Sequence, residues 1–474
     1  MRYPLFFLFY CCSLLAPAFL PAQVFPTTKI QDQGDNDRRI NMVYLAEGYQ
    51  ADEMPQFLQD VAEINSDLFS QSPFSNYAAF FNAFTIEVPS EDSGTDHPGT
   101  ATDVNEPAFP VADKDTYFDS QFDYFEIHRL LVPNSYFDAF SVLANNVPQF
   151  DQPFMIVNSN RYGGSGGQFA TTSTHNSANE IAIHEIGHSF ANLADEYYAG
   201  DFYAREAANM TEETNPELVL WDEWYGEQGV GIYQHCCGNQ SADWHRPHQD
   251  CKMRSLGSPF CAVCKQQIID VIYSLVSPID SFFPLAQDQV YSGDTLEFDL
   301  QLVYPQPNTL TVSWELNGVE IAAGNDSLLL TDSLLVSGMN TLRAVVTDST
   351  ELSRTYLPAA GYRFSQLWMI DNTVVGVESF TNGLAGETAM FGALYPNPPT
   401  GNSLFADYRL EASETVECRI IDALGRPVSR EEYRLAAGRG RLEIPLAGLE
   451  PGAYYCEFIS GNRRELRRFV RAGR

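Results

Sequence analysis

The chain has 474 residues, a formal net charge of -34 and a hydrophobic fraction of 44%. That length exceeds one ordinary domain, and the apolar content suffices for several cores, which excludes a disordered protein. The acidic excess excludes a nucleic-acid binder, which needs a basic face, and argues equally against an anionic membrane surface.

In chain order, residues 1–22 read as a secretory signal peptide. Arg2 supplies the positive region, an apolar stretch runs from Leu5 to Leu20, and small Ala22 offers a cleavage position. The stretch is short and Pro-interrupted, and no later run is long enough to span a bilayer, so no transmembrane anchor is expected. Export sets the reading of the seven remaining cysteines, Cys236, Cys237, Cys251, Cys261, Cys264, Cys418 and Cys456. An oxidising compartment favours disulfides over thiolate metal sites, and "CAVC" at 261–264 is read that way too.

Residues 23–279 read as one α/β domain. "INMVYLAEGYQ" is a strand ending in a Gly turn, and Phe57, Val61, Ile64 and Leu68 then fall at helical spacing. "FTIEVPS" and "PFMIVNSN" are buried strands, with "YFDAFSVLANNV" as the helix between them. Strands and helices alternating in this order predict a mixed, largely parallel sheet covered by helices.

At "SPIDSFFP" the texture changes to short alternating stretches. "TLTVSWELNGVEI" predicts a hairpin around Asn317-Gly318, and "LLVSGMNTLRAVVTDS" a second one. Residues 280–368 are therefore expected to form an immunoglobulin-like β-sandwich that supports the preceding domain or spaces it from its neighbours. A linker at 369–390 leads to residues 391–474, a second all-β sandwich. There thirteen Arg stand against eleven Asp and Glu, so the acidity lies upstream.

The densest chemistry is "HEIGHSFANLADEY", residues 184–197. Ser177 and Glu180 predict a capping box that starts a helix. On that helix His184 and His188 are one turn apart and share a face, so both imidazoles can bind one ion, with Glu185 beside them as a proton carrier. If the helix continued, Asp195 would lie roughly 16 Å along the axis from His184 and could not reach the same ion. The alternative is that the helix stops soon after His188 and folds back, with Asn192 in the left-handed conformation that ends helices.

Taken together, "VYLAEGY", "YGGSGG", "HEIGHSFANLADEY", "RPHQDCKMRS" and "PFCAVC" resemble the IgA peptidase family of secreted bacterial zinc metallopeptidases. The resemblance implies a metzincin-like catalytic domain with Zn2+ held by His184, His188 and a following acid. Asp195 is the favoured third ligand and Glu196 the fallback, since Asp195 lies one position later than in the metzincin pattern. Ala191 stands where the family often has Gly, which leaves the reversal to Asn192 or to strain. The comparison further implies Glu185 as general base, Met253 as the methionine beneath the metal, and "YGGSGG" as a cleft rim that pairs with substrate backbone. Tyr197 or Tyr198 would add a hydrogen bond to the oxyanion. His235, His245 and His248 are read as hydrogen-bonded or solvated histidines.

The ordered set "YPNP", "DALGRPV" and "LAGLEPGAYY" resembles the C-terminal sorting domain of the type IX secretion system. It implies that secretion machinery as a partner and delivery to the surface or surroundings of a Gram-negative bacterium. Cys418 and Cys456, on two of its strands, are a possible pair. The expected function is a secreted zinc endopeptidase acting on protein or peptide. The rival expectation is a surface-displayed binding or adhesion protein with an inactive peptidase-like domain.

Overall fold

Three strands of the first half are apolar on both faces, and all three are buried end to end: β2 (Ile40–Glu47), β3 (Phe81–Ile86) and β4 (Gln152–Val157). Strands of this kind belong in the middle of a sheet covered on both sides. In the computed structural model, which describes residues 23–200, 203–236, 238, 240–291, 295–354, 362–373, 390–399, 401–422, 426–461 and 463–471, they do. The expected signal peptide, Cys237 and most of the expected linker lie outside the described residues.

With β1 (Thr27–Gln31), β5 (Gly164–Ser165) and β6 (Ala170–Ser173) they make a six-stranded sheet in the order β1-β3-β2-β4-β6-β5. The four inner strands are parallel and the two edge strands antiparallel, so the sheet is mixed and largely parallel, as the alternation of elements predicted. Strand alternation sends Val43, Leu45, Phe84 and Met155 to one face, where α2 (Tyr136–Asn146) covers them with Ala139, Val142 and Leu143. The other face carries Tyr44, Phe154 and Ile156. It is covered by α1 (Met54–Leu68), α3 (Ala178–Ser189) and α4 (Ala262–Leu275). Phe57, Val61, Ile64 and Leu68 are the buried stripe of α1, matching their spacing.

The described residues fall into two compact units. One takes in the residues up to 287 with 295–330 and 341–368; the other takes in 288–294, 331–340 and 369–474. Within the first, Leu310–Leu316 pairs with Val319–Ala323 across Asn317-Gly318, both at positive φ as a two-residue hairpin turn requires. The second predicted hairpin does not form. Residues 342–348 pair with 310–316 instead, which sets Leu342, Ala344 and Val346 opposite Leu316, Trp314 and Val312. Those apolar cross-strand partners outweigh the local turn signal at Ser337-Gly338. In the same unit Tyr77 and Tyr273 both donate to Oδ2 of buried Asp348, at 2.6 and 2.7 Å.

In the second unit a three-stranded sheet (Phe391–Tyr395, Ser403–Leu410, Gly438–Pro445) and a four-stranded sheet share one core. Leu404, Ile420, Ile444, Phe458 and Phe469 are central to it. Cys418 and Cys456 are buried there as separate thiols and not as a disulfide. They sit diagonally, since Cys418 faces Phe458 and Cys456 faces Ile420 in the ladder. Among the described residues no helix is long and apolar enough to cross a membrane.

Candidate active site

Helix α3 is buried all round from Ile181 to Gly187. Ile181, Ile183 and Ile186 are buried, while His184 and His188 look toward the segment that follows the helix. Its start differs from the predicted capping box: Ser177 makes no side-chain cap. Glu180 turns instead to the Lys252 ammonium and the Gly257 amide, a charge partner that the reciprocal cap cannot match.

After Ser189 the chain reverses. Asn192 has φ of 52°, its amide donates to His188 O at 3.0 Å, and the Leu193 amide donates to Gly187 O at 3.0 Å. This is a left-handed helix stop at an Asn, the residue other than Gly best suited to it. The reversal returns Asp195 to the histidines: its Oδ1 lies 3.0 Å from His184 Nε2 and 3.2 Å from His188 Nε2. The two Nε2 atoms are 3.2 Å apart.

Both imidazoles are fixed from behind. His184 Nδ1 donates to Lys252 O at 2.9 Å and His188 Nδ1 to Leu193 O at 2.7 Å. A carbonyl only accepts, so each Nδ1 carries a proton, and in its neutral form each ring presents a bare lone pair at Nε2. Two lone pairs and a carboxylate oxygen at these separations repel one another unless a proton or a metal ion sits among them. Burial alone would pull His188 down, but Asp195 outweighs it and pushes the imidazole up to about 9. Burial would raise Asp195, yet the two imidazoles hold it far below the usual carboxylate range. The donor set also fits a metal. Ligands about 2.05 Å from a tetrahedral zinc stand about 3.3 Å apart, and neutral imidazoles braced through Nδ1 are its usual ligands.

Glu196, the fallback ligand, points elsewhere. Its Oε1 accepts from Asn209 Nδ2 at 3.0 Å and lies 3.5 Å from Cys264 Sγ. Met253 packs under α3 so closely that a Cβ on Gly187 would stand 2.5 Å from its sulfur, and its carbonyl accepts from the Glu196 amide at 2.8 Å. His235 Nε2 is hydrogen-bonded to the carbonyls of Asp195 and Tyr197, and so holds the returning segment in place.

Glu185 is buried, and its carboxylate lies between a cleft of about 520 Å³ and a second of about 360 Å³. Burial raises its pKa above the usual glutamate range, against the lowering pull of the two imidazoles. The glycines of "YGGSGG" explain themselves here. A Cβ on Gly164 would stand 2.8 Å from Thr171 O and 3.3 Å from Glu185 Oε1, so only Gly lets β5 lie against α3. Not all of this motif has free backbone. The Gly164 backbone is taken by Arg129 O and the Leu131 amide, and Gly166 and Gly167 are the glycines beyond it that line the larger cleft.

The Tyr197 ring lies 6.0 Å from that of His184, while Tyr198 is exposed at the edge of the smaller cavity. Tyr197 Oη accepts from Arg129 Nη2 at 3.0 Å, and the guanidinium lies 5.1 Å over its ring. Arg129 lines both cavities and was not singled out from sequence, because it lies 68 residues from Tyr197 with no motif around it. Five cysteines contradict the disulfide expectation: Cys251, Cys261, Cys264, Cys418 and Cys456 are free thiols. Cys251, Cys261 and Cys264 gather around Glu196, since the fold brings a carboxylate to them where a disulfide would take only two.

Residues 28–229 match the family described as IgA Peptidase M64, and residues 393–471 match the secretion system C-terminal sorting domain. The first match contains "HEIGHSFANLADEY" and stops short of the cysteine cluster and Met253. The chain thus carries a peptidase-family domain and a type IX sorting domain, and the latter marks export to the cell surface or secretion. No curated protein matches. Among solved structures, a β-glucuronidase of Parabacteroides merdae is 12% identical over 49% of this chain and 28% of that one, with a TM-score of 0.15. Dimeric latent PorU of Porphyromonas gingivalis is 15% identical over 41% and 20%, with a TM-score of 0.16. The chain spans less than a third of either, and likeness at that level carries no argument about fold or activity.

Proposed function

We propose that this chain, built on an IgA Peptidase M64 domain and a secretion sorting domain, is an exported zinc-dependent endopeptidase with a metzincin-like centre. The observation that carries the reading is the convergence of His184 Nε2, His188 Nε2 and Asp195 Oδ1 within 3.2 Å, with both Nδ1 atoms committed to carbonyls. These three side chains would hold the ion. Bound zinc supplies Lewis acidity, making water nucleophilic near neutral pH and polarising a carbonyl.

The protein's own groups divide the remaining work. Glu185, buried at the cleft and with a raised pKa, takes the proton of the attacking water and returns it to the leaving amine. Tyr197 accepts from Arg129, so its own proton stays available to donate toward the developing oxyanion. Arg129 fixes the orientation of that phenol and adds positive charge at the cleft. The Gly166–Gly167 rim gives an extended polypeptide close backbone approach, and Met253 forms the floor beneath the histidines. The type IX secretion machinery is the partner read by the C-terminal domain.

The test is hydrolysis of casein by purified protein with and without a chelator, alongside its metal content. Stoichiometric zinc and cleavage that stops on chelation are expected. Cleavage that persists after the metal is removed would sink the reading, and no cleavage by zinc-loaded protein would favour a binding role.

A further inference from the structure

Beneath α3 lies a second cluster that the proposed hydrolysis does not use. Cys251 Sγ and Cys261 Sγ each lie 3.6 Å from Cys264 Sγ, and Glu196 Oε1 lies 3.5 Å from the same sulfur. Glu196, Cys251 and Cys264 are 0% exposed and Cys261 6%. A disulfide brings two sulfurs to about 2.05 Å, so none is formed here. Ligands around a tetrahedral zinc with Zn–S of about 2.3 Å stand about 3.8 Å apart, close to what is seen. Two further observations point to a cation. Glu196 Oε2 is buried with no hydrogen-bond partner, an expensive state for a carboxylate oxygen. The Cys261 amide also points at Cys251 Sγ from 3.4 Å, the kind of bond that supports a metal-bound thiolate.

We propose that Cys251, Cys261, Cys264 and Glu196 form a closed, four-coordinate structural zinc site. Four protein ligands leave no open position for substrate, so its role is to hold the fold. It ties together three segments that carry the centre above it. Glu196 follows Asp195 directly, Cys251 precedes Lys252 and Met253, and Cys261 opens α4. The Glu196 amide bonds Met253 O, and Lys252 O holds His184, so loss of this site would loosen both the carboxylate and the imidazole above.

Zinc-edge X-ray absorption on the full chain, purified without reductant, tests this. Sulfur scatterers at about 2.3 Å are expected. They should persist in the double variant His184→Ala, His188→Ala, which removes the proposed catalytic ion and so separates the two claims. A spectrum with only nitrogen and oxygen neighbours in wild-type protein overturns the proposal. So does a disulfide among Cys251, Cys261 and Cys264 after alkylation without reduction.

An independent observation carries a second site in the long connection between β3 and α2. His97 is 0% exposed, and its Nδ1 donates to Pro110 O at 3.1 Å. Its Nε2 has no hydrogen-bond partner, yet it faces Asp123 Oδ2 at 3.5 Å and Glu106 Oε2 at 3.6 Å. His128 Nδ1 completes the group, 3.1 Å from Asp123 Oδ1 and 2.7 Å from Glu106 Oε1. We infer that His97, Glu106, Asp123 and His128 bind a second structural zinc-type cation, since two imidazoles with two carboxylates suit such an ion and the segment has little regular structure to hold it. Anomalous scattering at the zinc edge from zinc-loaded wild-type crystals should show a peak enclosed by these four side chains. In solution, His97→Gln should bind one equivalent less zinc than wild type while keeping the sulfur scatterers. Equal zinc content in the two proteins, or no anomalous peak at this position, overturns the inference.

Discussion

Asp195 and Glu196 are neighbours in the chain, yet one carboxylate closes on two imidazoles and the other on three cysteines. The imidazole cluster is drawn from twelve consecutive residues, 184–195, and each part follows from a local rule: the helical repeat, the helix stop, the return. The cysteine cluster spans residues 196–264, and only the CxxC at the start of α4 is local. A short constellation can be derived from spacing, whereas a dispersed one needs the tertiary fold.

The sharpest way to break that contrast is to neutralise the two adjacent carboxylates separately. Asp195→Asn should lose zinc from the imidazole cluster and, with it, nearly all hydrolysis. Glu196→Gln should leave measurable hydrolysis but lower the melting temperature. Equal loss of activity in two folded variants would mean that the clusters act as one. Next in size is Glu185→Gln, expected to keep full zinc content while kcat falls about 10²–10⁴-fold, the usual worth of a positioned general base. Metal content by mass spectrometry beside a casein assay checks both halves.

How much was legible follows the same division. His184 and His188 on one face, Glu185 beside them and the stop at Asn192 were readable, because each is fixed within one or two helical turns. The choice between Asp195 and Glu196 was not, since it depends on Lys252, Met253 and Asn209 arriving from elsewhere. Arg129 carried no local signal. Cys251, Cys261 and Cys264 were misread for a physical reason: compartment predicts oxidation state only where nothing else holds the thiols, and here a buried carboxylate stands among them. The three-layer α/β fold was legible from strands apolar on both faces, while the second hairpin failed where cross-strand partners overrode the turn.

A pH series sharpens the same contrast more finely. In metal-free protein His188 is raised to about 9 from an ordinary 6.5 by Asp195. A raised imidazole stabilises the fold fully below its unfolded value and loses that contribution as pH rises through 9. Zinc requires the neutral ring, so its stabilisation runs the other way and grows as protons leave. The difference in melting temperature between zinc-loaded and metal-free protein should therefore widen from pH 6 to pH 9. The variant Asp195→Asn should flatten the metal-free limb.

The smallest effect concerns the reversal itself. Asn192 sits at φ 52°, where an L residue with a Cβ costs roughly 1–2 kcal/mol and Gly costs nothing sterically. Asn192→Ala should lower the melting temperature by a few degrees and weaken zinc binding, because the stop and the return of Asp195 depend on that conformation. Asn192→Gly should match wild type more closely, although both variants lose the exposed bond from Arg205 Nη2 to Asn192 Oδ1. With that loss shared, the difference between Ala and Gly reports the left-handed strain of Ala set against the greater freedom of Gly in the unfolded chain. If the two variants bind zinc and melt alike, the left-handed residue does not hold the turn, and the fold-back must instead be secured from outside by His235 and Met253, through their bonds to residues 195–197.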